Sequence, residues 1–288
     1  MERNFKVVGI GELLWDVLPS GKQLGGAPFN FAYYSGQAGC ESYVISAIGN
    51  DELGREILDG VSRVGVCGEY IQTNSYPTST VTVRLDNNGL PEYIIHENVA
   101  WDYICSNEEM DKLSPKLDAI CFGSLAQRNS FSAKTIYSFL ESTKPSCLKV
   151  FDINLRQKYY NKETINKSLQ LANVLKLNDE ELIVLSGYFK LTGSIKDQLK
   201  ILIEKFDLQH IMYTMGSKGS IIITPDDYSE MEAPKVKVSD TVGAGDAFTA
   251  IFIAGLLQNK PLAEIHKKAT EVAAFVCTQI GAITDIEW

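Results

Sequence analysis

Histidine is scarce in this chain: His96, His210 and His266 are the only three in 288 residues, and they stand far apart. That spacing supports neither a zinc site nor a Ser/His/Asp relay, which leaves chemistry to carboxylates, amides and backbone groups. The cysteines are equally unpatterned. Cys40, Cys67, Cys105, Cys121, Cys147 and Cys277 form no CxxC pair in a chain far larger than disulfide-stapled domains, so buried, reduced thiols are expected. No cluster of Lys or Arg offsets the formal charge of −9. A nucleic-acid partner is therefore not expected, and any anionic ligand must be held by local donors. Apolar runs stop short of the roughly 20 residues of a membrane span, so no membrane partner is expected either. Met1–Lys6 leads straight into a strand-like Val7-Val8-Gly9-Ile10, and a cytoplasmic protein without a signal peptide is the expectation. Repeats, low-complexity tracts and Pro/Gly/Ser linkers are missing, so a second domain would have to be an insertion folded against the first.

With 45% of its residues hydrophobic, the chain can bury a large core. Strand patterns at Lys6–Ile10, Ser42–Ala47, Ala119–Phe122, Lys149–Ile153, Val174–Leu177, His210–Thr214 and Ser220–Thr224 alternate with helical patterns. The latter include Phe29–Ala38, Gly54–Val64, Ser132–Ser142 and Ile195–Lys205. This alternation predicts an α/β fold with a mostly parallel sheet covered on both faces. Ligands of such sheets bind beyond the carboxyl ends of the strands, where Asp152, Asn178 and Gly216 fall. Two segments depart from the pattern. Glu12–Leu18 is extended and breaks at Pro19-Ser20-Gly21; Thr80–Leu85 alternates with period two, Asp86-Asn87-Asn88-Gly89 offers a hairpin turn, and Glu92–Ile95 runs back. Together they predict a small antiparallel sheet.

The densest segment is Ser239–Phe248. Gly243 and Gly245 let successive N–H groups converge on an anion, and the apolar run Ala247–Leu257 reads as a helix whose N-terminal dipole favours the same charge. Asp246 stands at the start of that helix, where an acid can be a cap or a catalyst. Two common nucleotide loops do not fit. A dinucleotide fingerprint needs a third glycine where Phe248 stands, and Glu264, at the distance of its ribose-binding acid, follows Pro261 in a polar segment. A Walker loop needs Lys-Ser or Lys-Thr where Asp246-Ala247 stand.

Elsewhere each signal has two readings. Gly25-Gly26-Ala27-Pro28-Phe29-Asn30 is a turn entering a helix, or a close backbone approach to a ligand whose hydroxyls Asn30 would bond. Asp16, beside Trp15 and Val17, faces water or accepts two hydroxyls of a polyol. Asp152, Asn154 and Arg156 share one face if the extended geometry continues, as a site or as turn and ion-pair residues. Asn178 and Glu181 have the spacing of a capping box, and they also put an acid at the sheet's carboxyl edge, where Mg²⁺ could be held through water. Gly216-Ser217-Lys218-Gly219 joins two apolar strands, as a hairpin connection or as a contact for phosphate oxygens.

The order of these elements is more specific than any one of them. The Gly25–Asn30 segment, Gly49-Asn50-Asp51-Glu52-Leu53-Gly54, the Asp152–Arg156 strand end, Asn178-x-x-Glu181, Gly216-x-x-Gly219 and Asp240-Thr241-Val242-Gly243-Ala244-Gly245-Asp246 resemble the ribokinase-like (PfkB) family of carbohydrate kinases. The resemblance runs from Gly11 to Ala282. It implies a three-layer αβα sandwich (1–11, 25–68 and 103–288) with a small antiparallel β lid (12–24 and 69–102) over the sugar site. It also implies ATP as co-substrate and Mg²⁺ as cofactor. By the same resemblance Asp246 is the base that takes the proton of the sugar hydroxyl. The N–H groups of Val242 to Asp246, through Gly243, Ala244 and Gly245, form an anion hole for the transferring phosphoryl group. Asn178 and Glu181 organise Mg²⁺; Thr214, Gly216 and Gly219, with Gly243 and Gly245, line the ATP site. Asp16, Gly26, Asn30 and Arg156 hold the sugar, and the carbonyl region of Asp240 and Val242 holds the monovalent cation, such as K⁺, that many members use.

Within the family, Gly25–Asn30, Gly123-Ser124-Leu125-Ala126 and Asp152-x-Asn154-Leu155-Arg156 are more similar to fructokinases than to ribokinases, which implies D-fructose phosphorylated at its 6-hydroxyl. Phe29 stands where fructokinases carry a smaller residue. Trp101-Asp102 resembles an aromatic-acid element of fructokinases and equally suits an apolar anchor at a strand end. The alternatives are a kinase for 2-keto-3-deoxygluconate or ribose and, from another class, a catalytically silent sugar- or nucleotide-binding sensor. Lid strands with exposed edges could pair across a two-fold axis into a homodimer.

Overall fold

Runs of Val, Ile, Leu and Phe bounded by turns give the strands β1 (Lys6–Ile10), β2 (Leu14–Leu18), β3 (Gly21–Gly25), β4 (Glu41–Gly49), β5 (Ile71–Asn74), β6 (Ser79–Leu85), β7 (Pro91–Ile95), β8 (Ala119–Gly123), β9 (Leu148–Asp152), β10 (Val174–Asn178), β11 (His210–Thr214), β12 (Ser220–Ile223) and β13 (Tyr228–Met231). The helices are α1 (Ala27–Gln37), α2 (Glu52–Arg63), α3 (Glu108–Leu113), α4 (Ser130–Glu141), α5 (Lys162–Leu171), α6 (Asp179–Phe189), α7 (Ile195–Phe206), α8 (Ala244–Leu257) and α9 (Leu262–Val276). These elements come from a computed structural model that describes residues 4–18, 21–85 and 91–286. The expected turns at Pro19-Ser20 and Asp86–Gly89 lie outside the described residues.

Nine strands form one sheet in the order β13-β12-β11-β10-β9-β8-β1-β4-β5, parallel from β11 to β5 and antiparallel at the β12 and β13 edge. The two-residue period of the strands divides their apolar side chains between two cores. Val8 and Ile10 join the core that holds α4 to α7 residues such as Phe139, Leu169, Leu185 and Leu199, while Val7 and Val44 join the one that holds Phe31, Phe252 and Val272. The result is the expected αβα sandwich.

The smaller sheet has the order β3-β2-β6-β7. Its outer pairings, β2 with β3 and β6 with β7, are antiparallel, and the central pairing of β2 with β6 is parallel. This sheet takes up less of the chain than the expected lid segment 69–102. β5 pairs with β4 in the large sheet, and Trp101, fully buried, anchors a short 3₁₀ turn at Ala100–Tyr103 in the core. The Gly49–Gly54 motif braces the entry to this sheet: Asp51 caps α2 through the Gly54 N–H at 2.8 Å and also accepts the Thr78 N–H and Oγ1–H at 2.8 and 2.6 Å, just ahead of β6.

Three expectations are corrected in detail. Glu264 lies in α9, because the apolar positions Ile265, Ala269, Val272 and Val276 repeat at helical spacing and are buried. Cys105 is exposed, and Cys67 and Cys277 are half-buried; all six thiols are free. Helix α8 begins at Ala244, three residues ahead of the expected Ala247, because Gly243 caps it from a left-handed conformation.

Candidate active site

Helix α8 is apolar on every side and buried from Ala247 to Gly255, which holds it between α1 and α9. Its first turn has to be glycine-built. Gly243 has φ +81°, and a Cβ there would lie 2.0 Å from the Ala282 carbonyl oxygen. The Val242 N–H donates to Asp240 Oδ1 at 3.1 Å and the Ala244 N–H to the Thr241 carbonyl at 3.4 Å. Among the described residues this leaves the N–H groups of Gly243, Gly245 and Asp246 without an acceptor, a cluster of donors at a helix N-terminus. Val242 and Ala244 belong to the expected anion hole but do not supply free donors: the Asx turn of Asp240 takes the Val242 N–H and the Thr241 carbonyl takes the Ala244 N–H. Asp240 Oδ2 accepts the Gly281 N–H at 3.2 Å, so both of its carboxylate oxygens tie the turn down.

Asp246 meets the glycine-pair segment here. Gly26, at φ +116°, has the Glu12 carbonyl oxygen 2.3 Å from where a Cβ would stand, and a Cβ on Gly9 would lie 1.9 Å from the Pro28 carbonyl oxygen. Backbone contact of β1 and the Glu12 segment with the start of α1 aims Asn30 at α8. Asn30 Nδ2 donates to Asp246 Oδ2 at 2.8 Å, while its buried Oδ1 has no partner, an acceptor suited to a ligand hydroxyl. Burial, and then the nearby Asp152 carboxylate, push the Asp246 pKa up to about 7, against the Asn30 bond and the Lys176 charge. Asp16, half-buried on β2, lies over Gly25, where a Cβ would meet Oδ2 at 2.6 Å. Burial raises its pKa to about 6, with Arg156 opposing and Asp240 adding to the rise. Among the described residues its carboxylate accepts no hydrogen bond.

Beneath the turn is a lysine that sequence reasoning missed. Lys176 on β10 is buried, its Nζ lies 3.1 Å from Asp152 Oδ1, and a Cβ on Gly245 would stand only 3.2 Å from that Nζ. Burial works against the ammonium, but Asp152, Glu181 and Asp246 outweigh it and hold its pKa above the usual lysine range. A lone lysine in the strand Val174–Leu177 was the available signal, since period two turns it to the same face as Val174 and Asn178. Lys176→Met is expected to destabilise the fold by about 3–5 kcal/mol, because Asp152 stays buried without its partner. In folded protein it should also move the pH dependence of turnover upward, since Asp246 loses a cation that favours its ionised form. Urea unfolding and a pH–rate profile measure the two effects.

Glu12 was also missed. It is buried with Oε2 unpartnered, and burial raises its pKa.

Asn178 and Glu181 form the predicted capping box: Asn178 Oδ1 accepts the Glu181 N–H at 2.9 Å and Glu181 Oε2 accepts the Asn178 N–H at 2.8 Å. Glu181 Oε1 accepts the Leu155 N–H at 3.0 Å, so both oxygens are engaged. An ion at this edge would be reached through water, and among the described residues no group of three His, Cys, Asp or Glu side chains gathers to hold a metal. Thr214 pairs with Asn178, so β10 and β11 end together. Gly216 and Gly219 turn the chain into the antiparallel β12, with the Met215 N–H donating to the Gly219 carbonyl at 2.8 Å. The hairpin reading thus holds, beside Asn178. The Asp152, Asn154 and Arg156 face does not form. Asn154 adopts φ +43°, which ends the extended geometry and sends Arg156 to the surface. Val236, Val238 and Val242, in the segment that runs through the Asp240–Gly243 turn, and Ile280 are exposed apolar side chains.

Free donors at a helix start suit an anion, and a buried carboxylate beside them suits a hydroxyl that gives up its proton, a pairing that phosphoryl transfer to an alcohol would use. The family profile of pfkB family carbohydrate kinases matches residues 16–288, and the chain belongs to that family. It is a carbohydrate kinase. Fructokinases of Salmonella typhimurium and Klebsiella pneumoniae are each 29% identical to it, over 89% of this chain and 86% of the former, and over 99% and 97% for the latter. The fructose, ADP and calcium ion bound form of the Vibrio cholerae O395 fructokinase superposes with a TM-score of 0.82 over 98% of this chain and 95% of that one, at 25% identity.

Proposed function

We propose that the protein transfers the γ-phosphoryl group of ATP to the 6-hydroxyl of D-fructose. The observation that carries this reading is the 2.8 Å bond from Asn30 to Asp246, which joins the fructokinase-like Gly25–Asn30 segment to the proposed base. Asn30 Oδ1 and the Asp16 carboxylate offer acceptors to sugar hydroxyls, with Gly26 giving the sugar close backbone access and Arg156 at the edge. Asp246 takes the hydroxyl proton as the new O–P bond forms and the bond to ADP breaks. The N–H groups of Gly243, Gly245 and Asp246 face the charge on the phosphoryl oxygens, while Thr214, Gly216 and Gly219 line the nucleotide side. Mg²⁺, held through water at Asn178 and Glu181, would neutralise phosphate charge. Carbonyl groups of Asp240 and Val242 suit a monovalent cation, and exchanging K⁺ for tetramethylammonium is expected to lower the rate.

Purified protein with ATP and a panel of sugars tests the substrate. Fructose should give the highest kcat/KM; a higher value with ribose or 2-keto-3-deoxygluconate overturns the assignment, and turnover of no sugar favours a silent sensor. No described helix is long and apolar enough to cross a membrane, and six free thiols suit a cytoplasmic setting. A homodimer through the edges of the lid sheet should sediment as twice the 31.9 kDa chain. Sedimentation as a monomer removes it.

A further inference from the structure

Four connections join the large sheet to the smaller one, and the one that leaves β7 is held by side chains that take no part in the proposed phosphoryl transfer. Arg128 follows the 3₁₀ turn Leu125–Gln127 beyond β8. Its guanidinium grips Asp102 at two points, Nε to Oδ1 at 2.7 Å and Nη2 to Oδ2 at 2.9 Å, with side-chain exposures of only 6% and 2%. Nη2 also donates to the His96 carbonyl at 2.5 Å, and Asp102 Oδ2 accepts the Val99 N–H at 3.1 Å. The guanidinium carbon lies 4.0 Å from the Trp101 ring centre and 4.8 Å from that of Tyr159. Tyr159 in turn donates its hydroxyl to the Ile95 carbonyl at 3.2 Å.

Residues 95, 96 and 99 are thereby tied to two loops, one beyond β8 and one beyond β9. The second loop carries Arg156, whose carbonyl accepts the Tyr159 N–H at 3.0 Å. A buried ion pair adds little stability over a well-packed apolar pair, so stability alone gives no reason for this one. Its distinctive property is geometric: the planar fork fixes distance and angle at once, and a lysine cannot reproduce it.

We propose that Arg128 is a positioning residue for sugar binding, holding the end of the lid and the Arg156 loop in one register through Asp102 and Tyr159. This rests on the sugar-kinase reading of the site. Arg128→Ala would strand Asp102 and could unfold the protein, so the test uses Arg128→Lys, which keeps the charge, and Tyr159→Phe, which removes only the hydroxyl. In Arg128→Lys that retains its near-ultraviolet circular dichroism, the sugar KM should rise roughly tenfold while the ATP KM stays within about twofold. Amide exchange in β6 and β7 should quicken roughly tenfold, and Tyr159→Phe should change both quantities in the same direction by less. Unchanged sugar KM and lid exchange in both folded variants overturn the proposal, as does an equal rise in both KM values. Should the wild type phosphorylate no sugar, the functional reading fails, and lid exchange in Arg128→Lys still decides the clamp.

Discussion

Asp246→Asn is expected to lower kcat by roughly 10²- to 10⁴-fold while both KM values hold. An amide keeps the size of the carboxylate and can still accept the Asn30 hydrogen bond, but it cannot take the proton of the sugar hydroxyl. With the wild-type pKa near 7, kcat should also fall about tenfold per pH unit below that value, as the base becomes protonated. The variant should lose this dependence. A variant that retains full turnover would remove Asp246 as the base.

The same residue makes a prediction about stability whose sign is opposite to that of an ion-paired carboxylate. Its folded pKa, about 7, lies above the ordinary value of 3.8, so between these the native state binds a proton that the unfolded chain has released. Stability from this group is complete below pH 3.8 and is lost as the pH rises through 7. At one pKa unit per about 1.4 kcal/mol the loss is at most roughly 4 kcal/mol. Asp246→Asn should therefore unfold at higher urea than the wild type at pH 8, with the gap narrowing near pH 4. Such a cost to the fold is the expected trade for the base proposed here.

Gly243→Ala carries the second large effect. The left-handed φ and the Ala282 carbonyl, 2.0 Å from the Cβ position, leave a methyl group no room, and the obstacle is backbone. Relief has to come from moving the first turn of α8 or the 281–282 segment, which misaims the free N–H groups. A loss of roughly 10²- to 10³-fold in kcat is expected, as for removal of an oxyanion donor. Thermal unfolding should register about 1–3 kcal/mol of backbone strain. Gly245→Ala is the internal comparison: its Cβ meets the end of the Lys176 side chain at 3.2 Å, and a flexible side chain can give way. Equal rates in Gly243→Ala and the wild type would exclude the anion hole.

Much of the architecture was legible because it is written in local pattern. Alternating strand and helix periods located seven of the nine strands of the large sheet to within about two residues, leaving out β5 and β13, and the smaller sheet's strands β2, β6 and β7 stood out by their position or alternation. The capping box at Asn178 and Glu181 and the hairpin at Gly216–Gly219 are short-range geometry and formed as their spacing predicts. What failed depended on one backbone torsion or on a distant partner. Asn154 turns left-handed, so three residues that alternate in sequence do not align in space. Ile71–Asn74 lies near the lid in sequence and yet pairs with β4, since a short polar strand carries no mark of the sheet it will join.

The amino-acid order alone determined the sandwich, the glycine-built start of α8 and Asp246 within it, because each is a matter of periodicity, turn chemistry or neighbours along the chain. Tertiary structure decided how Asp246 behaves. Asn30, Asp152 and Lys176 come to it from α1, β9 and β10, and their charges and hydrogen bonds, together with burial, set its pKa. Such interactions depend on distances in space and on exclusion of water, neither of which exists until the sheet and helices have packed.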